Sequence, residues 1–280
     1  MPTAILTARQ KRVKNPSKPH PHPLPLIESL NALPLQSYCS RLFPYLPPFL
    51  RCADTSLTLG LESADTISKD DLGACFRLIE ESSGEAYADS SMGWSPTKKR
   101  KEMKLPDLRY FLLRGGAASA IEDGGEWEGN KGKGGGVGEG AKEGDGDGQS
   151  EEEGGRVQGF ASFMLTYEDG HEVIYLYEIH LSPALRGQNV GEALMRLVEE
   201  GGRRAGVSKA MLTTFKSNGG ARRFYERLGY EEDEYSPRPR KMRNGVVKEA
   251  DYVILSKRLK LEEEGFGWQG KRKKMDADGE

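Results

Sequence analysis

The chain has 280 residues, 41 basic and 43 acidic, for a formal net charge of −2, with 36% apolar residues. That balance excludes a strong overall pull toward polyanions or lipid surfaces. The three cysteines, Cys39, Cys52 and Cys75, contain no CxxC pair and fit a reducing compartment rather than a disulfide framework. His20, His22, His171 and His180 form no cluster with zinc spacing, so no metal site is expected. No apolar run approaches the ~20 residues of a membrane span, and no signal-peptide pattern opens the chain. A soluble intracellular protein is the expectation.

Residues 1–25 are a basic, proline-rich arm with Arg9, Lys11, Arg12, Lys14 and Lys18, too poor in apolar groups to offset the entropy of ordering. Apolar residues return from Leu26 to Leu50, interrupted by Pro34, Pro44, Pro47 and Pro48, and predict short helices over Ile27–Leu33 and Gln36–Phe43. Leu57–Leu61 alternates as a strand. Ser68 caps a helix that runs to about Tyr87, with Asp70 and Asp71 at its positive end and Leu72, Phe76, Leu78 and Ile79 on its buried stripe. A loop with Met92, Gly93 and Trp94 leads to a short charged helix, Thr97–Lys104, and then to a strand, Arg109–Arg114.

Residues 115–156 are a low-complexity insertion of glycine and acid, expected to be disordered and to join two neighbouring antiparallel strands. The second of these is Val157–Tyr167. A turn at Glu168–His171 returns the chain as Val173–Leu181. A helix from Val190 carries Ala193, Leu194, Leu197 and Val198. Its end is weakened by Gly201-Gly202 and stopped by Gly206. Strand Lys209–Phe215, helix Asn218–Leu228 with Gly229 behind it, and strands from Tyr230 and over Tyr252–Leu255 complete the pattern. This is an α/β order: one domain over 26–262, a mixed, mostly antiparallel sheet with helices on both faces, followed by a charged tail, 263–280. The runs Lys98-Lys99-Arg100-Lys101 and Lys271-Arg272-Lys273-Lys274 read either as solvated charge or as nuclear-import or nucleic-acid contacts.

Tyr175-Leu176-Tyr177-Glu178-Ile179-His180-Leu181 followed by Leu185-Arg186-Gly187-Gln188-Asn189-Val190-Gly191 is a polar strand entering a glycine-bearing turn and a helix. Such a turn aims several backbone N–H groups at one point and suits a phosphate. A strand's period of two puts Tyr175, Tyr177 and Ile179 on one face and Glu178 on the other, unless a bulge re-aims it.

The turn, with Asn218-x-x-Ala221-x-x-Phe224-Tyr225-x-x-Leu228-Gly229-Tyr230, resembles the GNAT acetyltransferase superfamily, whose pattern opens the helix after the fourth strand. The first glycine of that superfamily's Gly-x-Gly is Asn189 here, and Asn is the next-best residue for a left-handed backbone. Gly93-Trp94, the segment 172–178, Met211-Leu212-Thr213-Thr214-Phe215-Lys216-x-Asn218 and Tyr252-x-Ile254-Leu255-Ser256 resemble the NatD-type N-alpha-acetyltransferases more closely. The resemblance implies a GNAT fold and acetyl transfer from acetyl-CoA to the N-terminal amine of histones 4 and 2A, whose tails start Ser-Gly-Arg-Gly.

It also implies site residues. Glu178 is the general base, beside Tyr177 and Tyr175, and Tyr225 is the acid for the leaving thiolate. Ile179, His180 and Leu181 flank the pantetheine, Arg186, Gly187, Gln188, Asn189, Val190, Gly191 and Glu192 hold the pyrophosphate, and Asn218 bonds the cofactor. A backbone N–H after Glu178 is the expected oxyanion donor. Tyr87, Thr166, Tyr167, Glu168, Tyr177, Thr213 and Tyr252 meet the peptide. Thr166 stands where the family has an acid, and Met92 where it has an aromatic. The alternative for Glu178, the less favoured of the two, is an ion-paired structural carboxylate; for Tyr175, Trp94 and, on spacing alone equally, Tyr225, the alternative is a packing residue. A monomeric enzyme of nucleus and cytoplasm is expected, with histone tails as partner, no direct nucleic-acid readout and no membrane. A GNAT lysine or small-amine acetyltransferase and a non-catalytic acetyl-CoA-binding module are the competing readings.

Overall fold

Ser68 starts the longest helix among the described residues by the expected means. Its hydroxyl accepts from the Asp71 N–H at 3.0 Å, and α3 runs from there over Lys69–Ala88. The structure, a computed structural model, describes residues 26–52, 55–115, 155–241, 243 and 245–259. The expected basic arm, most of the glycine-acid insertion and the charged tail lie outside the described residues.

The described chain divides into two compact units. One comprises Pro47–Ser162 with Glu178–Leu194; the other comprises residues up to Leu46, Phe163–Tyr177 and the chain from Met195. In the first unit a hairpin of β1 (Phe49–Cys52) and β2 (Thr55–Ser63) is antiparallel, and β2 pairs antiparallel with β3 (Arg109–Gly115) from Leu57↔Gly115 to Ser63↔Arg109. The start of β4 (Arg156–Glu168) is the next neighbour, followed by the end of β5 (His171–Leu181). β1 escapes the sequence reading because it is four residues long and follows Pro47-Pro48. The helices here are α3 and α4 (Pro96–Glu102), the latter with Ser95 as cap and Pro96 in its first turn, where a missing N–H costs nothing. α3 buries Ala74, Cys75, Phe76, Ile79, Ser83 and Tyr87, while Leu72 and Leu78 stay half-buried.

The second unit holds α1 (Leu26–Asn31), α2 (Leu35–Leu42), the rest of β4 and β5, most of α5 (Val190–Ala205), β6 (Lys209–Phe215), α6 (Gly219–Arg227), β7 (Glu231–Glu232), a small hairpin of β8 (Arg240–Lys241) and β9 (Val247–Lys248), and β10 (Tyr252–Arg258). The β4–β5 turn is Asp169-Gly170 with both φ positive, 47° and 85°, the geometry that matches strand twist. β5 runs parallel to β6 from Val173↔Lys209 to Leu176↔Leu212, while β10 is antiparallel to both β6 and β7.

Gly201 and Gly202 do not end α5; they sit inside it. A Cβ at Gly201 would stand 2.4 Å from the Phe43 ring, and one at Gly202 2.5 Å from Leu259. The helix ends instead at Gly206 (φ 77°), with Val207 N–H donating to the Gly202 carbonyl at 3.1 Å. Among the described residues no helix is long and apolar enough to cross a membrane, and no group of three or more His, Cys, Asp or Glu could hold a metal ion.

Candidate active site

Glu178 and His180 are two apart on β5, so they share a face. In the first unit that face meets α3 and α4. Glu178 Oε1 accepts from the Tyr87 hydroxyl at 2.8 Å and from Lys99 Nζ at 2.8 Å, and its Oε2 meets His180 Nε2 at 2.7 Å. The Lys99 ammonium has three protons and three acceptors: Glu178, the Tyr87 hydroxyl at 2.8 Å and Glu102 Oε1 at 2.7 Å. His180 Nδ1 lies 2.6 Å from Ser82 Oγ. Glu178 and His180 are 2% and 0% exposed, so their charge and hydrogen bonding are decided inside the protein.

Burial pushes the Glu178 carboxyl up, but the Lys99 charge and the His180 hydrogen bond outweigh it and hold the group below its ordinary range. An ionised carboxylate only accepts, so His180 Nε2 carries a proton toward it. Burial also pushes Glu102 up; Lys99 pulls it down, Glu178 repels it, and the result is a raised value. Burial lowers Lys99, and the two carboxylates outweigh that and raise it. Burial and Glu178 lift Tyr87 well above a free phenol, so it stays a donor. The Tyr87 ring stands 5.6 Å from Trp94, which stacks on Phe76 at 5.8 Å. Arg100 covers the Phe76 ring at 3.6 Å. The basic run of α4 is therefore not uniformly solvated: Lys99 and Arg100 are engaged with the protein, and Lys98 and Lys101 are exposed.

After β5 a 3-10 turn, Pro183–Leu185, leads into the exposed stretch Arg186–Asn189 and then α5. Gly187 (φ 76°) and Asn189 (φ 60°) are both left-handed, so Asn189 adopts the backbone expected of it. Among the described residues no backbone carbonyl accepts from the N–H groups of Gly187, Gln188 or Asn189. Those of Val190 and Gly191 lie in the first helical turn, where no intrahelical partner exists. The side chains are tied back: Arg186 Nε donates to the Leu181 carbonyl at 3.2 Å, Gln188 Nε2 to the Ala184 carbonyl at 2.6 Å, and Gln188 Oε1 accepts from Cys52 Sγ at 2.8 Å. What remains outward is main chain at the positive end of a 16-residue helix, an arrangement that fits a diphosphate. On β5, Ile179 and Leu181 are buried, and the register with β6 ends at Leu176.

In the second unit the Tyr175 and Tyr177 rings meet edge-on at 5.6 Å. The Tyr175 hydroxyl lies 2.5 Å from Thr213 Oγ1, and Tyr177 donates to Met164 Sδ at 3.7 Å. Tyr225 is fully buried, edge-on to Tyr230 at 5.8 Å. Asn218 Oδ1 accepts from the Ala221 N–H at 3.0 Å and so caps α6. Tyr167 donates to Glu28 Oε2 at 3.0 Å; burial and that bond leave its phenol pushed up to about 12. Thr166, Glu168 and Tyr252 are half-buried, Tyr252 opposite Phe215 in register.

The structure thus brings Tyr87 to Glu178, and Tyr175 to Tyr177 and Thr213. Sequence reasoning missed Lys99, Glu102, Ser82 and Glu28. A lysine inside a four-residue basic run gives no sign of burial, but Lys99 and Glu102 are three apart on a helix, which is a readable pairing signal.

Residues 144–230 match the Acetyltransferase (GNAT) family. The N-alpha-acetyltransferase 40 of Saccharomyces cerevisiae (strain ATCC 204508 / S288c) is 37% identical over 109 residues, covering 31% of this chain and 37% of that enzyme. The chain therefore spans little over a third of the length of that curated relative. Among solved structures, Arabidopsis thaliana NAA60 in complex with a bisubstrate analogue is 11% identical, covering 72% of this chain and 98% of its own, with a TM-score of 0.42. The NatC complex bound to Gag peptide and CoA is 14% identical, covering 72% and 99%, with a TM-score of 0.42. The mostly antiparallel strands, the parallel β5–β6 step with α5 between them in sequence, and the match over 144–230 make this a GNAT fold.

Proposed function

We propose that the protein is an N-terminal protein acetyltransferase that takes acetyl-CoA and the free α-amine of tails beginning Ser-Gly-Arg-Gly, those of histones 4 and 2A, in nucleus and cytoplasm. The observation that carries this reading is the main-chain cradle before α5, left-handed at Gly187 and Asn189, where among the described residues no backbone carbonyl accepts from the N–H groups of Gly187, Gln188 or Asn189. The GNAT match over 144–230 and the likeness to an enzyme named N-alpha-acetyltransferase 40 support it.

The cofactor supplies an acetyl thioester; the chain's residues do the rest. Arg186 to Glu192 hold the pyrophosphate, the backbone of Ile179 and Leu181 pairs with the pantetheine as an added strand, and Asn218 adds a hydrogen bond. Glu178 acts as base through a water on the free side of Oε2, because Oε1 already accepts two bonds. A weak base is enough, since an α-amine has a pKa near 8, roughly two units below lysine. Tyr225 returns a proton to the leaving sulfur. Tyr87, Thr166, Tyr167, Glu168, Tyr177, Thr213 and Tyr252 position the peptide, with Tyr175 supporting Thr213. Acidic Glu28, Glu168 and Glu172 suit the arginine at the third position.

The test is mass spectrometry of a Ser-Gly-Arg-Gly peptide incubated with the protein and acetyl-CoA. Acetylation of the α-amine, and none of the same peptide with its amine blocked, is the expected result. Modification of lysine in the blocked peptide makes it a lysine acetyltransferase instead. No transfer to either, with cofactor still bound, makes it a binding module.

A further inference from the structure

The surroundings of Glu178 raise a question of charge. A carboxylate 2% exposed is expensive to keep ionised unless it is matched. The titratable groups that face it are Tyr87 from α3, Lys99 and Glu102 from α4, Tyr110 from β3 and His180 from its own strand. Tyr87 and Tyr110 are held as neutral phenols by burial, which lifts both above their ordinary range. Lys99 is the permanent cation of the set. Its side chain is 6% exposed and reaches in from α4, with every ammonium proton committed. Two of its bonds go to Glu178 and to the Tyr87 hydroxyl, two residues to which the acetyl-transfer reading gives roles.

We propose that Lys99 is a positioning residue for acetyl transfer: clamped from α4, its ammonium orients Glu178 and Tyr87 together and keeps Glu178 a carboxylate despite its burial. This deepens the acetyl-transfer reading and rests on it. α4 then sets how far into acid the reaction runs. Glu102 is the counterweight, because it shares Lys99 with Glu178 and repels it. The base is tuned by how one buried cation divides itself between two carboxylates.

The experiment uses the full chain with Lys99→Met and Glu102→Gln, assayed on the free Ser-Gly-Arg-Gly peptide from about pH 3 to 9, so that the Glu178 limb is read below the limb of the peptide's own α-amine near 8. With Lys99→Met, burial of Glu178 is opposed only by the hydrogen bonds from His180 and the Tyr87 hydroxyl. The acid limb of kcat/KM is expected to move up by about one pH unit or more, with kcat down about tenfold and the KM for acetyl-CoA within about twofold. Glu102→Gln leaves Lys99 to Glu178 alone, so its limb moves to lower pH. Profiles that keep their position in both variants overturn the proposal, as does a loss confined to the acetyl-CoA KM. If Lys99→Met does not fold, the direction of the Glu102→Gln shift decides alone.

A second readout needs no turnover. The stability gap in urea between wild type and Lys99→Met is expected to widen as pH rises from about 4 to 7, because the attraction lost by the variant exists only when the carboxylates are charged. A gap independent of pH means that Lys99 only fills space, and sinks the proposal. A wild type that acetylates nothing while the gap still widens sinks the acetyl-transfer reading and leaves the charge clamp standing.

Discussion

Glu178 combines full burial with a full charge, and the combination makes it sensitive to small changes. Glu178→Gln keeps the shape but leaves Lys99 with Glu102 as its one carboxylate. Breaking a buried pair from one side costs about 3 kcal/mol or more. Urea unfolding at pH 7 is expected to report that loss, and kcat on the free peptide a fall of about a hundredfold, the usual scale for a lost general base. The pH dependence has a definite sign. The folded value of Glu178 is depressed, so its contribution to stability is fully present above the unfolded value, about 4.3, and is lost as pH falls through the folded one. The difference between wild type and Glu178→Gln should therefore shrink in acid. A difference that stays constant from neutrality down to about pH 3 contradicts this account. The residue type and its place on a strand were legible, as was the alternation that pairs Glu178 with His180 and Tyr175 with Tyr177. Its partners were not, because Tyr87 and Lys99 lie 91 and 79 residues away in sequence.

At the scale of elements, the entry to α5 carries the most weight. Asn189 at φ 60° occupies a region where a Cβ-bearing residue is strained by about 1–2 kcal/mol, less for Asn. Asn189→Gly should preserve CoA affinity, whereas Asn189→Val, β-branched and poorly suited to that backbone, should weaken it about tenfold or more in calorimetry. Equal affinity in both variants removes the cradle from the binding site. Farther along the same helix, Gly201→Ala drives a methyl into the Phe43 ring, 2.4 Å from where it would sit. A loss of about 1–3 kcal/mol in thermal or urea unfolding is expected. Local propensity suggested that Gly201-Gly202 loosen the helix. The helix runs through them, where a ring and two aliphatic side chains come so close that only glycine fits, an approach no local pattern records. α4 teaches the same lesson: four consecutive basic residues read as a solvated face, yet helix geometry turns Lys99 inward while Lys98 and Lys101 stay out.

For the whole molecule, each of the two compact units holds strands of its own, and β4, β5 and α5 contribute residues to both. A ligand that binds only the folded state adds stability by mass action, about 2.7 kcal/mol at a hundredfold excess over Kd. For a chain of this size that corresponds to a rise in Tm of about 5 °C or more. CoA and acetyl-CoA should both produce it, and no shift at millimolar cofactor would count against any acyl-CoA chemistry.

By itself the sequence determined the helices, most of the strands, the Ser68 cap, the Asp-Gly turn and the left-handed entry to α5. Each depends on interactions within a few residues, which hydrophobic period and turn chemistry encode directly. Only the tertiary structure decided that Lys99 is buried, that Glu178 is held by three partners, and that Gly201 and Gly202 are points of close approach. The charge of a buried group depends on which distant side chains fill its few ångströms of space, and that is settled when the elements pack.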